Sequence, residues 1–482
     1  MSAFDGAEKH PIRRRRNLER YLVLVAIIGL LQAGCRRRPS NDLVWEVLLP
    51  WTPARVSTEL AENGAEHYVL KQTHEPLFRK DDGQNFRSRV LKSWSRNVDS
   101  TAFEFCPNTA LSFDEDHFFT APSLRENLER ITKRFAPSFS VTREGDCVSV
   151  RFQHRENKYL DFLAVYENAP SLKTKDPNVE VGLGPFMVKD ITPEKIVLRR
   201  KKAVVNGYNI IIFHLYKGPT DPNLANRNIA DFNQIPASDI PGWVLNEYQG
   251  LSKMLLGTYV LIINHPDAKV RAAIYNCMDV DGFRRAYFPG MTEFYDLMTV
   301  LPVGVPGAQA GRPEQVCGAV PLRSVRHPLV LVDWRSGNEA PLRAVLAAFT
   351  RKTGIPVELR NVNPNALMEL AVKHQHPYNL VVLIGGSARA AYDIYFNYTL
   401  SRNRQIDFDL TKARQLYARL GEEDDSVKQT MLAMEIAAEI SRQAAVLPLF
   451  QDVRRFYYPR GLKNLTIGRD FLEFPEVGDF EL

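Results

Sequence analysis

The side chains able to do chemistry are few and loosely grouped. Gly385-Gly386-Ser387 puts a serine after two glycines, but no local signature ties a histidine or an acid to it, so it reads as a glycine-rich turn leaving a strand. His374 and His376 flank Gln375, and a pair at i, i+2 diverges on a helix rather than converging on a metal. Asp114, Glu115, Asp116 and His117 form a run with ligand atoms for calcium or zinc, or a polar surface turn. No HExxH, GxSxG, P-loop or CxxC pattern occurs in the chain. The expectation is a protein with no catalytic residues, no metal and no cofactor, hence not an enzyme.

Cysteine usage needs the elements around it. Four cysteines follow Cys35: Cys106, Cys147, Cys277 and Cys317. Cys106 ends one strand-like run and Cys147 begins another, so a Cys106–Cys147 disulfide across a sheet is expected. Cys277 falls on an apolar helical face with Val270, Ala273 and Ile274, which favours packing as a free thiol. Cys317 is expected to be free as well.

The N-terminus has the pattern of an export signal. A basic run, Arg13 to Arg16, precedes eleven mostly apolar residues from Tyr21 to Leu31, and Gln32-Ala33-Gly34-Cys35 follows. Eleven residues are too few for a spanning helix, which needs about 20, and they suit a signal-peptide core. Small residues before a cysteine resemble a lipobox, with the Cys35 thiol as the acylation site. Gln32 stands where an aliphatic residue is usual, and Arg36 to Arg38 follow at once, so an uncleaved membrane-embedded segment is the competing reading. The signal is placed at 1–34 and a basic tether at 35–42.

Charge and composition narrow the rest. The formal net charge of +6 falls to +3 once residues 1–34 are set aside, and a body so close to neutral has no nucleic-acid footprint. An apolar fraction of 45% and 482 residues imply a globular protein larger than one core, hence two lobes.

Along the chain, Leu43 to Leu49 reads as a strand, 56–71 as a helix, Thr101 to Phe105 as a strand, 122–134 as a helix and 147–152 as a strand. Phe186 to Ile191, Lys195 to Arg200 and Tyr208 to Leu215 form a meander whose first hairpin turns at Thr192-Pro193-Glu194. Gly182-Leu183-Gly184-Pro185 is a turn signal and not a phosphate loop, since no helix follows it. Leu301 to Pro328, with several Gly and Pro, is the best linker candidate. Then come strand Leu329 to Asp333, helix 340–353 closed by Gly354, strand Ile355 to Leu359, helix 364–375 capped by Asn363, and strand Tyr378 to Ile384. This β-α-β-α-β order implies parallel strands. A long helix at about 426–444 precedes the apolar Val446 to Phe450.

Ligands of open α/β sheets sit beyond the carboxyl ends of the parallel strands. Those ends carry Trp334, Arg335, Asn361, Ser387 and Arg389. An aromatic face, two guanidinium groups and bare glycine backbone suit a solute bearing a carboxylate or another anionic group. An Arg389–Asp393 helical pair would occupy the nearby acid.

Four segments, taken in order, resemble one family. "FEFCPNTALSFDEDHFFTAPSLRENLERI" (103–131), "VGLGPFMV" (181–188), "VRAAIYNCMDVDGFRRAYFPG" (270–290) and "AAEISRQAAVLPLF" (437–450) are similar to motifs of the family 5 extracellular solute-binding proteins, the peptide/nickel-binding components of ABC importers. Leu183 replaces the threonine of the family's G-T-G-P-[FY], and Cys106 stands where an arginine often falls. The resemblance implies an α/β, two-lobed periplasmic-binding-protein type II-like fold, with mixed sheets flanked by helices. Lobe 1 is expected to span 43–264 with a C-terminal return at 446–482, and lobe 2 to span 265–445. It also implies capture of a small-molecule or peptide-like ligand for an ABC permease, by a monomer held at the extracytoplasmic membrane face through its lipid. The family's W-x-x-D-Y-x-D-P segment, whose acid pairs with a peptide amino terminus, is missing after Ile384. That departure leaves open a sensor or structural subunit on the same fold.

Overall fold

The architecture is that of a computed structural model, which describes residues 43–50, 55–59, 64–80, 85–287, 293–318, 325, 327–333, 339–362, 379–386, 393–400, 406, 408–423, 425–465 and 474–481. Trp45–Leu482 make one unit, and Met1–Val44 another, of which Leu43 and Val44 alone are described.

The strands, numbered along the chain, are β1 (Leu43–Leu49), β2 (Arg79–Lys80), β3 (Phe86–Arg87), β4 (Leu91–Arg96), β5 (Ala102–Pro107), β6 (Phe139–Glu144), β7 (Cys147–Phe152), β8 (Ser171–Lys173), β9 (Glu180–Gly182) and β10 (Phe186–Ile191). They continue as β11 (Lys195–Arg200), β12 (Tyr208–Leu215), β13 (Ile229–Asp231), β14 (Gln249–Ile263), β15 (Phe294–Tyr295), β16 (Leu329–Asp333), β17 (Val357–Asn361), β18 (Leu380–Gly386) and β19 (Val446–Tyr458). Mixed sheets flanked by helices result, as expected from the sequence.

A five-stranded sheet runs β10-β11-β12-β1-β13. The expected meander is there, with β10 and β12 both antiparallel to β11. Its first turn closes with the Thr192 N–H donating to the Lys195 carbonyl at 2.9 Å. A four-stranded antiparallel sheet, β4-β5-β7-β6, packs Phe103, Phe105, Val148 and Val150 against Leu124, Leu128 and Ile131 of the helix Ala121–Thr132. Alternation on the strands and i, i+4, i+7 spacing on the helix produce this core directly.

The third sheet explains the continuous apolar runs. Its order is β15-β19-β14-β18-β16-β17, with β16 parallel to both β17 and β18 and with β14 antiparallel to β18 and β19. Leu329, Leu331, Leu261 and Val382 bury against helices Ala268–Cys277, Val280–Tyr287 and Glu339–Thr353. Val332, Val381, Val260 and Ile262 bury on the opposite face against helices Asp393–Leu400, Thr411–Glu422 and Ser426–Arg442. Successive side chains point to opposite faces, so a sheet covered on both sides needs apolar residues at every position. Gly354, at φ 74°, ends the Glu339–Thr353 helix in the left-handed region that glycine enters without strain.

Several expectations change. The helix expected over 56–71 is Gly64–Thr73, and Val56 instead bridges Val179 in parallel. The strand expected at Ile355 to Leu359 starts two residues later, at Val357. The start of the linker candidate is core, because Leu301 and Val305 are buried with the Ser426–Arg442 helix, whereas 309–318 is half-buried to exposed and forms no helix or strand. The free thiols are also corrected. Cys277 and Cys317 form a disulfide, with Cα atoms 4.8 Å apart, alongside the Cys106–Cys147 disulfide at 4.2 Å. The latter sits one step beyond the Phe105↔Val148 pair of β5 and β7, where directly opposed residues come close enough to bridge. Helix 364–375 lies outside the described residues.

Candidate ligand-binding site

The carboxyl ends of β16, β17 and β18 lie along one edge because the three strands are parallel. Asp333 and Asn361 are register partners there, and the Val362 N–H donates to the Asp333 carbonyl at 2.9 Å. At the end of β18, Gly385 and Gly386 face Thr258 and Gly257 of β14. Three glycines on two paired strands leave the backbone bare at this point, a surface that a ligand can approach closely.

The same point is where β14 changes partners. Its pairing with β19 is interrupted between Met254 and Thr258, and the freed polar groups are met by a buried side chain. Gln451 Nε2 donates to the Leu255 carbonyl at 2.8 Å and to the Val303 carbonyl at 3.0 Å, and its Oε1 accepts from the Val303 N–H at 2.7 Å. Tyr395 adds an O–H donated to the Leu256 carbonyl at 3.0 Å. The irregularity is thus held in one geometry. Sequence reasoning missed β14 and Gln451; the apolar run from Leu255 to Ile263, interrupted by Gly257, was the signal available.

Of the residues expected to bind ligand, Asn361 is described. It is exposed, and its amide donates to Glu339, the first residue of the Glu339–Thr353 helix. That bond ties the end of β17 to a helix start. Trp334, Arg335, Ser387 and Arg389 lie outside the described residues, as do Cys35, His374 and His376. Asp333 is 1% exposed and points inward. A cavity of about 320 Å³ is lined by Asn276, Asp279, Arg312 and Lys352, among others, but by none of the residues at the strand ends.

Other motif residues have structural tasks. A Cβ on Gly182 would sit 2.4 Å from the His74 ring, and one on Gly184 would sit 2.5 Å from the Thr73 carbonyl carbon. The two glycines therefore let the loop before β10 close onto the end of the Gly64–Thr73 helix. Lys201 secures that loop by donating to the Gly182 carbonyl at 2.5 Å, and its burial pulls the ammonium pKa down to about 8. Arg271 is 4% exposed and donates to the carbonyls of Gln443, His265 and Pro266, each at 2.9 Å, with Phe408 under its guanidinium at 3.8 Å. It joins the end of the Ser426–Arg442 helix to the start of Ala268–Cys277. Asp114 Oδ1 accepts from the N–H groups of Asp116 and His117 and from His117 Nδ1, so the acidic run is a surface turn. No group of three metal-ligating side chains occurs among the described residues.

No protein-family model and no curated protein matches the chain. Solved structures do. A dipeptide-binding protein from Pseudoalteromonas sp. SM9913, in complex with Met-Leu, superposes with a TM-score of 0.76 over 91% of this chain and 99% of its own, at 12% identity. NikA from Brucella suis, in complex with Fe(III)-EDTA, gives 0.72 over 90% and 99%, at 16% identity. The binding protein AgaA from A. tumefaciens R10, in complex with agropinic acid, gives 0.74 over 91% and 98%, at 15% identity. The chain shares the α/β fold of these solved solute-binding proteins. Within that fold, β14 and β19 are the long antiparallel pair that carries the chain into and out of the six-stranded sheet.

Proposed function

We propose that this protein is an exported solute-binding protein, lipid-anchored through Cys35, that captures a small solute or peptide-like ligand for an ABC permease. The observation that carries the reading is a likeness to solved binding proteins that spans about nine-tenths of this chain and nearly all of theirs. Binding and release are its task, and it catalyses no reaction. Lobe 1 is taken as 43–264 with 446–482, and lobe 2 as 265–445, joined through β14 and β19. The ligand lies where the parallel strands end, beside Gly257, Gly385 and Gly386, with Trp334, Arg335, Asn361, Ser387 and Arg389 around it. The protein works as a monomer at the extracytoplasmic membrane face.

The ligand class follows from the charges at those ends. Arg335 and Arg389 follow those strand ends in the sequence, and the acid that would hold a free ammonium is missing from the sequence after Ile384. A solute with a carboxylate is therefore preferred. A hydrogen bond to a charged group contributes about 1.5–3 kcal/mol, so Arg389→Ala weakens binding roughly 10- to 100-fold. Thermal-shift measurements with free peptides, N-acetylated peptides and small organic acids test this. Stabilisation by free peptides that N-acetylation abolishes refutes the anionic preference. No response to any of them, together with no ligand by native mass spectrometry, favours the second reading, a sensor or structural subunit, which the missing acid also motivates.

A further inference from the structure

The folded body begins at Trp45, and the sheet end around that residue presents an apolar tip. The Trp45 ring stands edge-on to Tyr208, the first residue of β12, at 5.0 Å. Farther along β1, Glu46 meets His214 at 2.8 Å, and the Leu49 carbonyl accepts from the Tyr216 N–H at 2.8 Å. Sequence positions on the two strands advance together, so β1 runs parallel to β12. The chain therefore enters the sheet at the end that carries the β11–β12 loop.

That loop holds Val205 at 92% exposure and Val204 at 38%. Its shape is built. Asn209, only 6% exposed, accepts from the Val204 N–H at 2.9 Å and donates to the Val204 carbonyl at 2.8 Å. Gly207 lets the returning chain pass close, since a Cβ there would lie 2.9 Å from Val204 Cγ2 and 3.1 Å from the Phe480 carbonyl oxygen. Exposed Lys202 and Arg199 stand beside the tip, and Met187, 36% exposed, is the register partner of Arg199. A rigid apolar tip with cations at its base complements a bilayer surface, where valines enter the acyl boundary and cations meet anionic headgroups.

Chain length selects the occupant. Ten residues separate Cys35 from Trp45, and an extended chain spans about 3.3–3.6 Å per residue. An acyl anchor at Cys35 thus keeps Trp45 within about 35 Å of lipid, and the intervening Arg36 to Arg38 favour the same anionic surface. We infer that the Lys202–Val205 tip is a membrane-contact element that rests on anionic lipid beside the anchor and sets how the body stands on the membrane. This rests on lipidation of Cys35.

The test uses the full lipidated chain on vesicles of equal parts phosphatidylethanolamine and phosphatidylglycerol with headgroup-nitroxide lipid as quencher. A polarity-sensitive thiol label is placed at Val205→Cys or, as the control, at Val98→Cys, since Val98 is 101% exposed in the β4–β5 turn. The Val205 label should be quenched several-fold more than the Val98 label, and Lys202→Gln should lower its lipid contact about fivefold, as one basic residue near an anionic surface is worth about that factor. Equal quenching at the two positions, in protein that floats with vesicles through Cys35, overturns the inference and leaves the anchor standing. Protein that does not float, or floats equally as Cys35→Ala, removes the anchor and the inference with it.

Discussion

His74 should make this fold acid-sensitive by an amount that can be worked out. Its side chain is 0% exposed, at the end of the Gly64–Thr73 helix under Gly182. Thr73 Oγ1 donates to the Val69 carbonyl at 3.0 Å, so at its 2.8 Å contact with His74 Nδ1 it accepts. The proton of the neutral ring is therefore on Nδ1, and Nε2 is a buried acceptor with no partner among the described residues. Burial, with the Lys201 and Arg130 charges nearby, pulls the His74 pKa down from 6.5 to about 3. In the folded state the ring stays neutral where the unfolded chain already binds a proton. The stabilisation is thus intact above pH 6.5 and is lost as pH falls from 6.5 toward 3, by about 1.4 kcal/mol per pH unit. Between pH 7.5 and pH 5 the loss is about 2 kcal/mol. Urea unfolding of the wild type and of His74→Gln at both pH values isolates the effect, because all other titrations are common to the two proteins. The variant, although less stable at pH 7.5, should lose about 2 kcal/mol less on acidification. Equal losses in the two proteins would falsify the burial argument.

Gly184→Ala should destabilise by about 1–3 kcal/mol or prevent folding, because its Cβ would lie 2.7 Å from the His74 backbone nitrogen and 2.5 Å from the Thr73 carbonyl carbon; denaturant titration measures it, and a wild-type midpoint would contradict the close packing. Non-reducing peptide mapping should recover Cys106 with Cys147 and Cys277 with Cys317 and find no free thiol among the four. Each bond closes a loop of about 40 residues, so replacing both Cys277 and Cys317 by serine should cost about 4 kcal/mol by chain entropy. Gln451→Ala leaves three buried backbone groups without their partner and should cost at least about 2 kcal/mol; hydrogen exchange should show the loss first at the Val303 amide.

Local pattern carried much of the fold. The meander from Phe186 to Leu215 was legible because its strands alternate and Thr192-Pro193-Glu194 turns between them. The parallel strands β16 and β18 were legible because short apolar runs were spaced by helical segments, and the Ser426–Arg442 helix by its apolar periodicity. β14 was not. From Gln249 to Met254 it is half-exposed and mixed in character, and it is a strand because β19 pairs with it across nearly two hundred residues of sequence. The candidate site divides the same way. Gly385 and Gly386 mark a bare strand end in sequence, whereas their placement against Gly257, and the bond from Asn361 to Glu339, depend on the assembled sheet.

The sequence by itself determined most of the segments that become strands and helices, β14 excepted, which faces turn apolar, and that no catalytic signature is present. Those properties reside in neighbours a few residues apart, through steric preference and hydrophobic period. Tertiary structure alone decided that Cys277 bonds to Cys317, that Leu301 and Val305 are core, and that Gly182 and Gly184 serve close packing against His74 and Thr73. Each of these joins residues distant in sequence, and no local period records which distant partner chain folding brings into contact.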